Sequence, residues 1–450
     1  MHKTTNPQEI AVMGAGLVGS LMSIYLKRMG HEVSIYERRG DMRKEKVDGG
    51  RSINLAMSDR GLRALAGVGL DKEIKDISIP MSGRMIHFPN GDQGFQPYGK
   101  EGQAINSVSR AELNIRLMDV AEKEGVKINF ENQCLKVRSE LPEVKLKGPE
   151  GPRTINPDRL LGADGAFSAM RSSMQKTPLF NYSQQYEKHG YKELVIPPAE
   201  DGGWRIEKNA LHIWPRESFM LIALPNLDGS FTCTLFAPFE GENGLNNVKT
   251  EADVIEYFNL HFEDAVEHMP TLIQDFMENP TSTLVTVKCD PWNSGGKSLL
   301  IGDASHAIVP FYGQGMNSGF EDCTLLAEAI SNGKEDWEAI FENFSKTRKP
   351  NADAIADLAL DNFVEMRDKV GDRKFLYRKQ IEKKISETWP EKYTPAYSLV
   401  TFSHMPYAEA QRLAYARNEI LNAMSEIHDI NDKWESKEVK ALLEQLFGVK

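Results

Sequence analysis

Three glycines near the N-terminus have the type and spacing needed to hold a dinucleotide. Gly14, Gly16 and Gly19 form the pattern G-x-G-x-x-G, and Glu37 follows at the distance expected of a ribose ligand. In this pattern the first glycine permits a tight turn, the second lets a pyrophosphate approach, and the third lets a helix pack closely on a strand. The acidic residue can accept hydrogen bonds from ribose hydroxyls. These residues therefore predict the binding of a dinucleotide.

The sequence also predicts the elements that must position these residues. An apolar strand at 10–13 precedes the glycines, a helix is predicted from Leu17 to Met29, and a second strand at 33–36 ends at Glu37. The helix N-terminus would offer free amide N–H groups and the positive end of its dipole to the phosphates. The alternative is a glycine-rich turn that binds nothing, but the complete order of strand, helix, strand and acid favours the dinucleotide.

Two further glycine-marked turns follow apolar strands downstream. One is the segment GADG at 162–165, and the other is GDASHAIVPFYGQGMN at 302–317, after which a helix is predicted from about Glu321. The second is not a P-loop, because no Gly-Lys-Ser/Thr closes it. A single NAD would not need both turns, whereas the flavin half of FAD would. Amides at a helix N-terminus stabilise the negative charge of a reduced flavin, so we expect residues 313–317 to face the flavin ring.

Composition and charge limit the remaining classes of function. The chain has 450 residues and a net charge of −11, which argues against nucleic-acid binding. The four cysteines are far apart, which predicts free thiols in a reducing compartment. The ten histidines lack the spacing of metal ligands, and we expect no metal. No uncharged apolar run has the length of a membrane-spanning helix, so we expect a cytoplasmic protein that binds no membrane.

The rest of the chain combines strands and helices without a clear linker. A hairpin is predicted at 84–98, strands at 126–160 and 190–240, and helices at 110–124, 252–278 and from about 322 onward. The fold class is therefore α/β: a GxGxxG-type FAD-binding Rossmann-like domain interleaved with a β-sheet substrate domain, plus a helical C-terminal region. The predicted boundaries are 1–75, 100–180 and 285–330 for the FAD-binding domain, 76–99 and 181–284 for the substrate domain, and 331–450 for the helical region.

Several blocks of the sequence resemble a known family. The segments GAGLVG, GADG and GDASHAIVP are similar to the flavin motifs of the single-component FAD-dependent aromatic hydroxylases. More specific blocks, including GRSINLAMSDRG (50–61), GRMIHFPNG (83–91) and YSLVTFSHMPY (397–407), resemble the branch of that family that acts on L-kynurenine. The resemblance extends over about residues 10 to 407.

The resemblance implies a reaction and its cofactors. FAD would be bound tightly but not covalently, and NADPH would bind transiently to reduce it. Oxygen would then form a flavin C4a-hydroperoxide that hydroxylates L-kynurenine ortho to its amino group, giving 3-hydroxykynurenine. No metal and no catalytic nucleophile would be needed, because the cofactor carries the chemistry.

The resemblance also implies site residues. Arg84 and Tyr98 would hold the substrate carboxylate together with Asn362 and Tyr397. The side chains that would surround the aromatic ring or share the helical face of Asn362 are Leu211, Leu224, Thr234, Phe236, Glu365 and Met366. The residues that would contact FAD are Gly14, Gly16, Val18, Gly19, Glu37, Arg38, Arg39, Ala56, Arg110, Leu135, Asp164, Asp303, Pro310, Gly315, Met316 and Asn317.

Other interpretations stay open at the level of sequence. The chain could hydroxylate another aromatic acid of the benzoate type, or serve as a non-enzymatic carrier on the same fold. Arg84 could be a solvated strand arginine and Tyr98 a packing residue of the hairpin, since the sequence does not fix the strand register. The role of Tyr312 beside the flavin turn, the NADPH docking site and the oligomeric state, including a homodimer, are also left open.

Overall fold

The computed structural model describes residues 3–44, 54–99, 102–333, 335–368 and 373–449, without the side chains of 366–368, 373, 375 and 376. The strands in these ranges are β1 Glu9–Met13, β2 Glu32–Tyr36, β3 Asn54–Met57, β4 Ile79–Met81, β5 Gly83–His87, β6 Gln93–Pro97, β7 Ile105–Ser109, β8 Lys127–Asn129, β9 Gln133–Arg138, β10 Glu143–Gly148, β11 Gly151–Ile155, β12 Arg159–Gly162, β13 Asn181–Ile196, β14 Ala210–Arg216, β15 Phe219–Pro225, β16 Phe231–Pro238, β17 Ser282–Asp290, β18 Asn293–Ser294 and β19 Ser298–Leu300. The helices are α1 Leu17–Arg28, α2 Asp59–Gly67, α3 Asp71–Asp76, α4 Arg110–Lys123, α5 Ala169–Met174, α6 Glu251–His261, α7 Glu263–Val266, α8 Leu272–Glu278, α9 Asp303–His306, α10 Gly315–Asn332, α11 Trp337–Asp368, α12 Arg373–Thr388, α13 Ala396–Thr401, α14 Tyr407–Ser425 and α15 Lys437–Gly448.

A six-stranded sheet carries the first two glycine turns. Its strand order is β18-β19-β12-β1-β2-β8, and β1 pairs in parallel with both β2 and β12. In this register Val12 lies beside Ile35 on one side and Leu161 on the other, and all three residues are buried. Strands of this kind read as continuous apolar runs, which is why the sequence predicted them. The turns that follow β1 and β12 therefore meet at the same edge of the sheet.

A second sheet of seven strands carries half of the residues expected to bind the substrate. Its order is β17-β13-β16-β15-β14-β5-β6, and the predicted hairpin is present as β5 and β6. Arg84 pairs with Gln96, and the amide of Tyr98 donates to the carbonyl oxygen of Ser82 at 3.1 Å. Since side chains alternate along a strand, Arg84 and Tyr98 lie on the same face of the sheet. The register that the sequence left open thus brings these two residues together.

The two faces of the seven-stranded sheet have different neighbours. Helices α6 and α8 cover one face, where Phe231, Cys233 and Leu235 of β16 belong to a buried apolar cluster. The alternate residues of the same strand, Thr234 and Phe236 among them, point to the opposite face and line a cavity. The strand pattern therefore separates residues that stabilise the fold from residues that can contact a ligand.

The chain after the third turn is helical, as predicted. However, α10 begins at Gly315 rather than at Glu321, because glycines and Asn317 in its first turn have low helix propensity and obscure the boundary in sequence. The tail forms α15, whose Val439 and Leu446 are buried. The α/β fold class with a helical C-terminal region is confirmed.

The two sheets interleave along the chain. Strands of the six-stranded sheet come from three separate stretches, 9–36, 127–162 and 293–300, and strands of the second sheet come mainly from the stretches between them. The domain boundaries given above stay a prediction. Residues 45–53, which include the beginning of the GRSINLAMSDRG block, and residues 100–101 lie outside the described residues.

Candidate active site

A cavity of about 430 Å³ joins the residues expected to bind FAD to those expected to bind the substrate. The expected FAD contacts that line it are Gly16, Val18, Ala56, Arg110, Asp303, Pro310, Gly315 and Met316. The expected substrate contacts that line it are Arg84, Tyr98, Leu211, Leu224, Thr234, Phe236 and Tyr397. One cavity therefore brings together segments that are far apart in the sequence.

The first glycine turn has open space at one glycine and close packing at the others. A Cβ atom added at Gly16 would meet no protein atom within 4 Å, whereas one at Gly19 would lie 2.1 Å from the carbonyl oxygen of Gly14. One at Gly14 would lie 2.5 Å from the carbonyl oxygen of Ala163. Helix α1 begins at Leu17 with neither a side-chain cap nor an acidic residue in its first turn. Its free amides and the space at Gly16 fit a phosphate group.

Glu37 closes the first turn from the end of β2. Its buried carboxylate accepts hydrogen bonds from the amide of Ala15 at 3.0 Å and from the amide and Nε of Arg39 at 3.0 and 2.8 Å. Although burial opposes ionisation, these bonds from Arg39 and Ala15 lower the pKa of Glu37. The carboxylate therefore stays ionised and can accept ribose hydroxyls. Arg38 and Leu135 are exposed, and neither they nor Arg39 line the cavity.

Asp164 marks the turn after β12. Its Oδ2 accepts hydrogen bonds from the amides of Ala169 and Met170 at 2.8 and 3.2 Å, while its Oδ1 is buried and has no hydrogen-bond partner among the described residues. Burial raises the pKa of Asp164. The adjacent Gly165 lines the cavity, and a Cβ atom there would meet nothing within 4 Å. A buried polar atom left without a partner beside such space fits a polar ligand.

Asn317 fixes the third turn against β3. Its side chain donates to the carbonyl oxygens of Ala56 at 2.9 Å and Gly313 at 2.8 Å, and it accepts from the amide of Ser58 at 2.9 Å. Asn317 itself is fully buried and does not line the cavity. Since the first turn of α10 holds no acidic residue, the positive end of its dipole is not offset there. This end of the cavity fits the electron-rich edge of a flavin.

Arg84 lies between two tyrosine rings in the substrate part of the cavity. Its guanidinium carbon is 5.4 Å from the ring centre of Tyr98 and 4.6 Å from that of Tyr397. The two rings stack with their centres 5.6 Å apart. Across the described ranges, no carboxylate forms an ion pair with Arg84, and its Nε has no hydrogen-bond partner. A half-buried guanidinium that has no carboxylate partner among the described residues fits a carboxylate ligand.

Tyr312 extends the row of rings toward the third turn. Its ring stacks on that of Tyr397 with centres 5.3 Å apart. Burial raises the pKa of both Tyr98 and Tyr312. Both phenols therefore remain protonated at neutral pH and can donate hydrogen bonds. Tyr312 thus contacts Tyr397 of the substrate part while belonging to the flavin turn.

Two expected substrate residues on α11, Asn362 and Glu365, do not line the cavity directly. Asn362 donates to the carbonyl oxygen of Phe311 at 2.6 Å, so it contacts the third turn. Glu365 forms an ion pair with Lys379 of α12 at 2.9 Å. The side chain of Met366 lies outside the described residues. The contacts of Asn362 and Glu365 favour an indirect role in shaping the cavity.

Sequence reasoning missed several cavity residues. They are mostly apolar or aromatic and include Ile105, Tyr191, Met220, Ile222, Phe311 and Gln314. Met220 and Ile222 precede Leu224 on the same face of β15, so the alternation of the strand was the signal that could have found them. The others lie on segments whose partners are set only by the tertiary fold.

Comparison with known proteins identifies the family. Residues 8–359 match the family described as FAD binding domain. The kynurenine 3-monooxygenase of Flavobacterium johnsoniae is 50% identical over 436 residues, which cover 96% of this chain and 97% of the relative. The enzyme of the same name from Sus scrofa is 43% identical over 417 residues, which cover 92% of this chain and 88% of the relative. The chain belongs to the kynurenine 3-monooxygenase family.

Solved structures support the same fold. The tetrameric form of 2-methyl-3-hydroxypyridine-5-carboxylic acid oxygenase has a TM-score of 0.67 at 20% identity, covering 91% of this chain and 97% of that one. Pseudomonas aeruginosa PqsL in complex with 2-aminobenzoylacetate has a TM-score of 0.65 at 18% identity, covering 81% of this chain and 97% of that one. At these identities the likeness concerns the fold alone.

Membership of the kynurenine 3-monooxygenase family confirms the enzyme class predicted from sequence. The chain is an FAD-dependent monooxygenase, so the carrier interpretation is excluded. Within the described ranges, no helix is long and apolar enough to cross a membrane, and no cluster of three or more His, Cys, Asp or Glu side chains could hold a metal ion. The cytoplasmic location stays a prediction.

Proposed function

We propose that this chain catalyses the NADPH- and O2-dependent hydroxylation of L-kynurenine to 3-hydroxykynurenine. The observation that carries the proposal is Arg84, a half-buried guanidinium without an anionic partner among the described residues, in a cavity with largely apolar and aromatic walls. L-kynurenine combines an α-carboxylate with an electron-rich ring, and the cavity offers a complementary surface to each. The names of the curated relatives support this choice of substrate.

FAD, when bound, supplies the oxygen-activating chemistry. The first turn of α1 and Arg110 would hold its phosphates, and Glu37 would hold a ribose. The first turn of α10 would face the flavin ring with backbone amides. These groups come from separate elements of the described structure, yet Gly16, Arg110 and Gly315 line the same cavity. The protein would therefore bind FAD through backbone donors and one guanidinium rather than through a covalent link.

The substrate carboxylate would bind Arg84. A guanidinium can donate two parallel hydrogen bonds to a carboxylate, and the protonated phenol of Tyr98 can donate another. With this end fixed, the aromatic ring would lie among Leu224 and Phe236, whose side chains line the cavity from β15 and β16. Arg84 thereby selects the acid and sets the distance between the ring and the flavin end of the cavity.

The apolar walls serve a second purpose. Water in the cavity would promote loss of the activated oxygen as hydrogen peroxide and would weaken the contact between Arg84 and the carboxylate. Leu211, Leu224 and Phe236 surround the ring position without offering hydrogen bonds to water. These side chains therefore favour transfer of oxygen to the substrate over release of hydrogen peroxide.

The test is NADPH oxidation by the purified, FAD-loaded protein with and without L-kynurenine, followed by identification of the product. We expect L-kynurenine to accelerate NADPH oxidation and to yield 3-hydroxykynurenine. A benzoate series and the amine that L-kynurenine gives on loss of its carboxylate serve as matched controls. Stimulation and hydroxylation with a benzoate but not with L-kynurenine would replace this proposal by the benzoate-type alternative.

A further inference from the structure

Arg60 on α2 connects the FAD-side helices to the segment that carries Tyr397. Arg60 is 1% exposed, and its Nη1 pairs with Glu321 of α10. Its Nε donates to the carbonyl oxygen of Val400 at 3.1 Å, and its Nη2 donates to the carbonyl oxygen of Met405. One side chain is therefore bonded to α10, to α13 and to the connection between α13 and α14.

The bond to Val400 satisfies the C-terminal end of α13. The last carbonyl groups of a helix lack partners within it, and α13 has no basic residue in its last turn. Arg60 supplies the donors and the positive charge that this end lacks. Tyr397 belongs to the same six-residue helix and lies one turn before Val400. Holding the end of so short a helix also holds the ring of Tyr397.

A second link runs through Tyr407 at the start of α14. The guanidinium carbon of Arg60 lies 3.9 Å from the centre of the Tyr407 ring. The buried Tyr407 hydroxyl donates to Oε1 of Gln314 at 2.9 Å. Gln314 immediately precedes α10 and lines the cavity. The same arginine thus connects Tyr397 to the turn expected to face the flavin.

We propose that Arg60 is a positioning residue for the hydroxylation: it fixes Tyr397 beside Arg84, and through the substrate carboxylate held there it sets the position of the substrate ring relative to the FAD end of the cavity. The inference rests on the proposed function. A shift of the ring by about 1 Å is enough to lower the rate of a reaction strongly. When the ring is out of reach, NADPH and a proton reduce O2 to hydrogen peroxide, and NADP⁺ forms without any hydroxylated product.

The experiment compares three variants of the FAD-loaded protein. Arg60→Met removes the donors to Val400 and Met405, and Arg60→Lys keeps a positive charge beside Glu321 with fewer donors. Glu321 keeps a partner in both variants, because its Oε2 also pairs with Arg348 at 2.8 Å. The matched control is Arg63→Gln, which removes an arginine of the same helix that pairs with Glu328 of α10 at 2.7 Å on the surface.

For Arg60→Met we expect a KM for L-kynurenine raised about tenfold, and at least about a doubling of the share of NADPH that ends as hydrogen peroxide. FAD content should be retained, and amide hydrogen exchange over 396–406 should accelerate without substrate. Arg60→Lys should lie between Arg60→Met and the wild type, and Arg63→Gln should match the wild type.

Two outcomes would overturn the inference. One is an Arg60→Lys or Arg60→Met protein with wild-type KM, wild-type peroxide yield and unchanged exchange over 396–406. The other is an equal change in Arg63→Gln, which would reduce Arg60 to a general contact between α2 and α10. If Arg60→Met does not fold, Arg60→Lys alone decides. A wild type that L-kynurenine does not stimulate would contradict the proposed function instead, while the exchange comparison would still test the role of Arg60.

Discussion

Two arginines of this fold, the buried Arg348 and the half-buried Arg84, differ in their partners. Around α10, Arg348 is paired with Glu321 at 2.8 Å and with Asp322 at 2.8 Å. Facing the cavity, Arg84 lies beside the rings of Tyr98 and Tyr397, and its Nε has no hydrogen-bond partner among the described residues. On the proposed role of Arg84, an incomplete set of partners, rather than burial itself, distinguishes a ligand site from a structural ion network.

Arg348→Met tests the environment in which the arginine is paired with protein carboxylates. We expect this change to have the largest effect on the free energy of unfolding. The change leaves Asp322, which is fully buried, without its guanidinium partner. Breaking a buried ion pair on one side typically costs about 3–5 kcal/mol, so we expect a loss of that size in the free energy of unfolding. Denaturant titration of the FAD-loaded protein measures it. A loss below about 1 kcal/mol would mean that the network contributes little to the fold.

Arg84→Met tests the environment in which the arginine pairs with no carboxylate among the described residues. Here we expect the activity to change rather than the stability. Removing one partner of a desolvated charge pair costs about 2–5 kcal/mol, which corresponds to roughly 30- to 5,000-fold in kcat/KM for L-kynurenine. Since no protein carboxylate among the described residues pairs with Arg84, FAD content and unfolding free energy should stay near wild type. Near-normal kcat/KM would instead support a solvated strand arginine.

The dependence of the unfolding free energy on pH in the acid range extends the comparison to Asp322. Although burial opposes ionisation, His306 and Arg348 lower the pKa of Asp322 from 3.8 to about 2. A carboxylate with a lowered pKa stabilises the fold fully above its unfolded pKa, and this stabilisation is lost as the pH falls from about 4 to about 2. The lost contribution should be about 2 kcal/mol. Unfolding of the wild type and of Asp322→Asn, measured across this window, should differ in slope, and parallel curves would contradict the assignment.

The glycines of the first turn differ in the same way, since one faces open space and another is packed against protein, and here we expect the smallest effects. Gly16 faces open space, so Gly16→Ala should leave the unfolding free energy of the FAD-free protein unchanged and weaken FAD binding by about tenfold. Gly19 is packed against Gly14, so Gly19→Ala should destabilise the FAD-free protein itself. FAD titration and thermal unfolding separate the two. Equal FAD affinity for Gly16→Ala and the wild type would exclude a phosphate at Gly16.

Sequence reasoning succeeded where a feature is encoded locally. The first strand, helix and strand follow from an apolar run, three glycines and Glu37, and the structure has them almost where they were predicted. The hairpin was predicted from Asn90-Gly91, a turn signal that needs no tertiary information. The start of α10 was misplaced because its first turn is stabilised by Asn317 contacts with β3, which no local pattern contains.

The parts of the site that depend on tertiary contacts could not be predicted in this way. The shared face of Arg84 and Tyr98 depends on strand register, and the approach of Tyr397 depends on how α13 packs. No local pattern singled out Arg60, and its bonds to Val400 and Met405 reveal a connection between distant segments. The resemblance to a known family pointed to Arg84 in advance. The physical reason for its proposed role is that its guanidinium has no anionic partner among the described residues.

The most direct test of the central claim, that Arg84 binds the substrate carboxylate, is a double-mutant cycle on binding. The dissociation constants of L-kynurenine and of the amine lacking its carboxylate would be measured from flavin absorbance changes, for the wild type and for Arg84→Met. We predict that the wild type binds L-kynurenine about 30-fold or more tightly than the amine, and that Arg84→Met binds both with similar affinity. A variant that keeps the wild-type preference for the carboxylate would contradict the account.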